Sequence, residues 1–145
     1  MQEIKPYSHK INYYETDKMA VTHHSNYIRY MEEARVDFLD QIGWGYDKIE
    51  AAGIISPTLS VTCNYKKSTT FPQTIVLYTG VEKLTAVKLF LCYEMKVDGE
   101  LVSTGTSSHC FLGTDGKPLL IEKQFPELYK ILKQLESENT IHVRK

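Results

Sequence analysis

Asp17, His23 and His24 place one carboxylate and two imidazoles within eight residues of polar loop, immediately before a periodic segment that opens at Ser25. A carboxylate attacks an acyl carbon directly or takes a proton from water, and an imidazole holds a substrate, orients the carboxylate or protonates a leaving group. The segment they precede reads as a helix. A helix N-terminus presents unpaired N–H groups and a partial positive charge, which suits an anion or a carbonyl oxygen that is becoming one.

Other chemistries fit less well. Asp17 and the two imidazoles number three metal ligands on paper, but adjacent loop histidines seldom point at one ion. No His-x-x-x-His or Cys-x-x-Cys spacing supports zinc, so no metal and no cofactor is expected. There is no Gly-x-Ser-x-Gly elbow for a serine hydrolase and no Gly-rich loop for nucleotide phosphates. The plain alternative is that Asp17 only satisfies donors of its own turn and that the histidines are ordinary loop residues, a reading favoured for His23.

The elements that must position these groups follow from periodicity. Tyr7 to Tyr14 reads as a first strand, with Tyr13 and Tyr14 on opposite faces, so that one of them only packs. Ser25 is a plausible N-cap, after which Tyr27, Met31, Ala34, Phe38 and Ile42 recur at three and four. Gly43 and Gly45 end this helix, and Asp47 to Ala52 reads as a short second one closed by Gly53. From Ile54 the period falls to two, with Leu59, Val61, Cys63 and Tyr65 on one strand face. Further strands are expected over about Thr74 to Leu84, Ala86 to Val97 and Leu101 to Leu112. Asp98-Gly99 marks a type I′ hairpin between the last two. Asp115 to Pro118 turns the chain, Pro126 to about Glu136 forms a terminal helix, and residues 137–145 should fray.

These 145 residues, 42% of them hydrophobic, suit one domain over 1–145 with one core. A formal charge of -1 without a basic stripe argues against nucleic acid as the main partner. No apolar run is long enough to cross a bilayer and no secretory leader is evident, which implies a cytoplasmic protein. Cys63, Cys92 and Cys110 are odd in number and set among apolar residues, as core thiols in a reducing compartment would be. The order of one strand, a long helix and four antiparallel strands is an α+β layout, a curved antiparallel sheet wrapped around a central helix. One such layer leaves a helix face or a strand edge bare, to be covered by a second copy as a homodimer or homotetramer.

Tyr13-Tyr14-Glu15-Thr16-Asp17, with Asn26-Tyr27 at nine and ten beyond the aspartate and Arg29 to Arg35 continuing, resembles the hotdog-fold acyl-CoA thioesterases of the 4-hydroxybenzoyl-CoA thioesterase branch. Tyr65-Lys66-Lys67 through Phe71, and the hairpin from Asp98 to Gly105, resemble further segments of that family. The resemblance implies a hotdog fold and hydrolysis of an acyl-CoA, or acyl carrier protein, thioester at a dimer interface. It makes Asp17 the catalytic carboxylate and His24 the residue whose backbone N–H meets the thioester carbonyl. It also places Tyr13 within hydrogen-bonding reach of Asp17, and Asn26 and Tyr27 among the substrate-binding residues. Coenzyme A carries phosphates, so cations are needed at the mouth, with Lys66, Lys67, Lys83 and Lys88 the candidates. A non-hydrolytic acyl-thioester binder or dehydratase-like protein on the same fold is the alternative, since fold alone does not assign chemistry. The chain departs from the family between Ser68 and Gln73, where Pro72 supplies no N–H; this bears on substrate identity more than on Asp17.

Overall fold

The structure, a computed structural model, describes residues 3–143. Five antiparallel strands form one sheet in the order β1-β3-β4-β5-β2. They are β1 (Tyr7–Lys10), β2 (Thr58–Tyr65), β3 (Thr74–Leu84), β4 (Lys88–Val97) and β5 (Glu100–Cys110). Helix α1 (Ser25–Gln41) lies against the sheet, followed by α2 (Tyr46–Ala51); α3 (Ile121–Gln124) and α4 (Pro126–Glu138) close the chain.

The three-and-four spacing in α1 turns Tyr27, Tyr30, Met31, Ala34, Phe38 and Leu39 inward, where all are buried. They meet a core that includes Ile75, Leu77, Leu91, Tyr93, Met95 and Val102 from the strands, and each large apolar side chain so buried contributes roughly 1.5–3 kcal/mol. At Gly105 a Cβ would fall 2.4 Å from Met31 Sδ of α1 and 2.9 Å from the Thr62 carbonyl oxygen. Only glycine lets β5 pass under α1 there. Asp98 and Gly99 both have positive φ, 51° and 78°, as the type I′ turn between β4 and β5 requires.

The sequence and the structure part at four places. β1 stops at Lys10 rather than Tyr14; Tyr13–Glu15 is a 3-10 turn, and both Tyr13 and Tyr14 are exposed, so neither merely packs. The cause is Glu15, whose carboxylate turns back to accept the Asn12 N–H at 2.7 Å while its own N–H donates to the Asn12 carbonyl. Ser25 is the first residue of α1 rather than its cap: His24 occupies the cap position with helical backbone angles, and Ser25 donates its N–H to His23 Nδ1. β4 begins at Lys88, because Thr85 Oγ1 takes the Val87 and Lys88 N–H groups into a turn. At the C-terminus α4 runs on to Glu138, and the Ile141 carbonyl accepts from Asn139 Nδ2 and the Cys92 thiol, so 137–141 is held. The expected fraying of 144–145 lies outside the described residues.

Candidate active site

Asp17 sits in a tight loop between Thr16 and Thr22, which form an antiparallel bridge. Its N–H donates to the Val21 carbonyl (2.9 Å) and its carbonyl accepts from Ala20 N–H (3.0 Å), closing a turn in which Ala20 takes φ 62°. Oδ1 accepts the Met19 N–H at 2.8 Å. Asp17 therefore does cap its own turn, but with one oxygen only. Oδ2 has no partner among the described residues, and the side chain is half-exposed.

The start of α1 shows a similar economy. His23 N–H donates to Glu15 O (2.8 Å), Ser25 N–H to His23 Nδ1 (3.2 Å), Asn26 N–H to His23 O (3.0 Å) and Tyr27 N–H to His24 O (3.3 Å). The His24 N–H alone has no acceptor among the described residues. It belongs to the N-terminus of a 17-residue helix, whose aligned peptides place roughly half a positive charge there.

Asp17 and His24 line one cleft of about 310 Å³, together with Met19, Val21, Tyr27, Tyr65, Lys66 and Lys67. A cavity of about 340 Å³ between β3 and the C-terminal segment presents Glu3, Glu94 and Glu138, and none of the proposed reacting groups reaches it. The size of that second space is no guide to the chemistry. The His24 ring stacks on His23 (centroids 4.2 Å apart) and meets the Tyr65 ring edge-on at 6.3 Å. Burial, then the neighbouring Cys63 thiol, push the Tyr65 phenol up to about 12, so it stays a donor to the His24 carbonyl at 2.9 Å.

Tyr27 lines the cleft whereas Asn26 and Tyr13, expected beside it, are not among its lining residues. Asn26 Nδ2 donates to the Glu15 carbonyl at 2.9 Å. Tyr27 is buried and its hydroxyl lies 2.8 Å from Thr69 Oγ1, which in turn donates to Thr22 Oγ1 at 2.8 Å. Burial raises the pKa of Tyr27. The unusual segment from Ser68 to Gln73 is thus a clamp on the aspartate loop, since the Thr69 carbonyl also accepts the Thr22 N–H at 2.7 Å. Tyr13 is 76% exposed, rests edge-on against Phe71, and has no hydrogen bond to Asp17.

Of the four lysines, Lys66 and Lys67 border the cleft. The Lys67 ammonium is paired with Glu100, whereas that of Lys66 has no partner among the described residues. Lys83 and Lys88 are not brought to this cleft. Lys88 pairs with Cys110 and Tyr65 with Ser103, seven residues apart along β5, or about 23 Å at the usual strand rise. Within one chain they stand at the opposite end of the sheet.

Residues 11–133 match the thioesterase-like superfamily. The chain belongs to that family. It is 32% identical over 120 residues to a Bacillus subtilis (strain 168) protein described as "Putative acyl-CoA thioesterase YneP", which spans 81% of this chain and 87% of the relative. It is also 32% identical over 124 residues to a "Putative esterase" of Aquifex aeolicus (strain VF5), across 86% of this chain and 96% of the relative. Among solved structures, a DHNA-CoA thioesterase from Staphylococcus aureus superposes with a TM-score of 0.84 at 34% identity, across 94% of this chain and 95% of that one. The protein is a thioesterase with the hotdog fold.

A thioesterase needs a carboxylate or base, an oxyanion donor and little else, because a thiolate leaves readily. Sequence reasoning offered Asp17 and the His24 N–H as candidates for these, and did not single out Glu15, which is 7% exposed, or His109, which is 1% exposed. For Glu15 a signal existed: Asn12-x-x-Glu15 has the spacing of a capping box. His109 bears Ser107 Oγ at 2.7 Å from Nε2 and Thr58 Oγ1 at 3.2 Å from Nδ1, while Tyr93 OH lies 2.8 Å from the same serine. Burial, then the Arg35 charge, push the His109 ring down to about 3. Ser107 and His109 so occupied form part of the packed strand rather than a nucleophile pair. Among the described residues no cluster of three His, Cys, Asp or Glu side chains suits a metal, and no helix is long and apolar enough to cross a membrane.

Proposed function

We propose that the protein hydrolyses acyl-CoA thioesters, with Asp17 as the reacting carboxylate and the His24 N–H as the oxyanion donor. The observation that carries this reading is one shared cleft: it holds a carboxylate oxygen and a helix-start N–H that both lack a partner among the described residues. Two of the three relatives named above are described as CoA thioesterases. An acyl carrier protein thioester presents the same reacting atoms.

With the thioester carbonyl at the His24 N–H, negative charge that develops on the oxygen falls at the positive end of α1. One such donor is worth roughly 3 kcal/mol of barrier. Two routes follow. In the first, Asp17 Oδ2 adds to the acyl carbon, the C–S bond breaks, thiolate departs with the electron pair, and water cleaves the resulting mixed anhydride to regenerate the carboxylate. In the second, Oδ2 takes a proton from water, the hydroxide adds, and collapse of the tetrahedral adduct expels the thiolate, which receives the proton. The His24 ring, exposed at the cleft, is our candidate to deliver that proton.

Replacement of Asp17 by Asn keeps the size and the Oδ1 acceptor for Met19 but removes the charge and the proton-accepting oxygen. Thiol release from a panel of acyl-CoA esters should fall at least about a hundredfold, the lower range for lost general-base catalysis. Calorimetry should still detect a bound acyl-CoA in the inactive protein. Near-normal turnover by folded Asp17→Asn would remove Asp17 from the mechanism.

A further inference from the structure

The cleft geometry depends on a residue that never touches it. Glu15 is two residues before Asp17, buried, and bound on both sides of the loop. Its Oε1 accepts the Asn12 N–H (2.7 Å) and meets His9 Nε2 (2.9 Å), both before the loop. Its backbone carbonyl accepts the His23 N–H (2.8 Å) and Asn26 Nδ2 (2.9 Å), both beyond it at the start of α1. Glu15 thus ties the segment before the Asp17 loop directly to the start of α1 beyond it, beside the Thr69–Thr22 clamp on the loop itself.

His9 makes the anchor an ionic one. Its Nδ1 lies 2.9 Å from Glu33 Oε1, which also accepts from the Tyr7 hydroxyl at 2.7 Å. An ionised carboxylate oxygen only accepts, and His9 faces one at each ring nitrogen, so the geometry sets both nitrogens to donate. Burial works against charge on Glu15, yet the Asn12 N–H and His9 more than offset it and hold the carboxyl below its ordinary range. The His9 ring lies on that of Tyr30 at 4.3 Å between centroids. The Tyr30 hydroxyl is buried beside Glu15 without an aligned hydrogen bond, and burial followed by that carboxylate raises its pKa.

We infer that Glu15 is a positioning residue for the thioesterase reaction, locked by a doubly protonated His9 between Glu15 and Glu33, and that it fixes the Asp17 loop against the start of α1. This rests on the reading of Asp17 as the reacting carboxylate. Its action is through Asp17, so its effects are not independent of that residue.

The experiment is a double-mutant cycle on the full chain with an acyl-CoA substrate. Glu15→Gln retains an acceptor oxygen for the Asn12 N–H but loses the charge; kcat should fall about tenfold or more, as small misplacements of reacting groups do, with KM within about twofold. In the Asp17→Asn background the same change should cost nothing further, because there is no longer a reacting carboxylate to position. Full additivity of the two losses would overturn the inference while leaving Asp17 in place; an active Asp17→Asn protein would instead overturn the reading beneath it. His9→Gln provides a second arm of the cycle should Glu15→Gln fold poorly. Independent of activity, nitrogen NMR of the histidine-labelled wild-type protein at pH 7 should show both His9 ring nitrogens protonated, assigned by their loss in His9→Gln. A neutral His9 ring would overturn the inference outright.

Discussion

The Tyr65 hydroxyl donates to the His24 carbonyl at 2.9 Å across 41 residues, tying the end of β2 to the first turn of α1. The same ring packs edge-on against Tyr27, with centroids 5.0 Å apart. The strand thus holds the peptide that follows the His24 N–H, which has no acceptor among the described residues. Tyr65→Phe keeps the rings and deletes the bond, so stability should fall by about 0.5–1.5 kcal/mol, the usual net worth of one hydrogen bond. Because the loosened group is at the proposed oxyanion donor, kcat should drop several-fold with KM little changed. Urea unfolding and steady-state kinetics on one preparation check both, and an unchanged kcat would separate Tyr65 from the site.

His109 makes a pH prediction. Its folded value is about 3, against 6.5 for the free ring, so below about pH 6.5 the unfolded chain binds a proton that the folded chain refuses. Stability from this residue is whole above the unfolded value and is lost as pH falls toward the folded one, at about 1.4 kcal/mol per pH unit. Urea unfolding at a series of pH values from 7 to 4.5 should give a shallower acid loss for His109→Gln than for the wild type. Parallel curves would mean that His109 is charged in the folded protein.

How much of this was legible depended on sequence distance. The hairpin from β4 to β5 and the inward face of α1 are written in residues a few positions apart, Asp98-Gly99 for one and Tyr27 to Phe38 for the other. The loop carrying Asp17 was legible as a candidate site, but not its clamps. Thr22 meets Thr69 from 47 residues away, and no local pattern announces that pair. Tyr13 and Tyr14 have high strand propensity, and a single carboxylate, Glu15, overrides it by closing a turn on Asn12. The place of β2 beside β5 at the sheet edge, and hence the separation of Lys88 from Lys66, came only with the topology.

That edge leads to a third prediction. β2 pairs on one side only, and Leu59, Val61 and Tyr65 along it are 49%, 37% and 48% exposed. An open, apolar strand edge is a ready template for a second strand. The protein should therefore be at least a dimer at micromolar concentration, with light scattering giving twice 16.7 kDa or more. Val61→Lys, which sets like charges against each other if two such edges meet, should shift the mass toward one chain. A wild-type mass near 16.7 kDa would refute the assembly.

The last prediction concerns the anionic handle of coenzyme A and separates the four lysines. Lys66 borders the cleft with no partner among the described residues, whereas Lys67 is already engaged by Glu100. Lys66→Ala should raise KM for acyl-CoA roughly tenfold, about the worth of one charge-assisted hydrogen bond, and leave an acyl-pantetheine lacking the nucleotide unaffected. Lys67→Ala should do less, because its charge is partly spent on Glu100. In one chain Lys88 is about 23 Å and Lys83 about 17 Å along the strands from the cleft end of β2, too far for a side chain to span. Any increase in KM on their replacement must then come from a second copy, and it should disappear in the Val61→Lys background if that variant is monomeric and still turns over substrate. Equal KM changes for the acyl-CoA and the acyl-pantetheine would show that none of these lysines holds a phosphate.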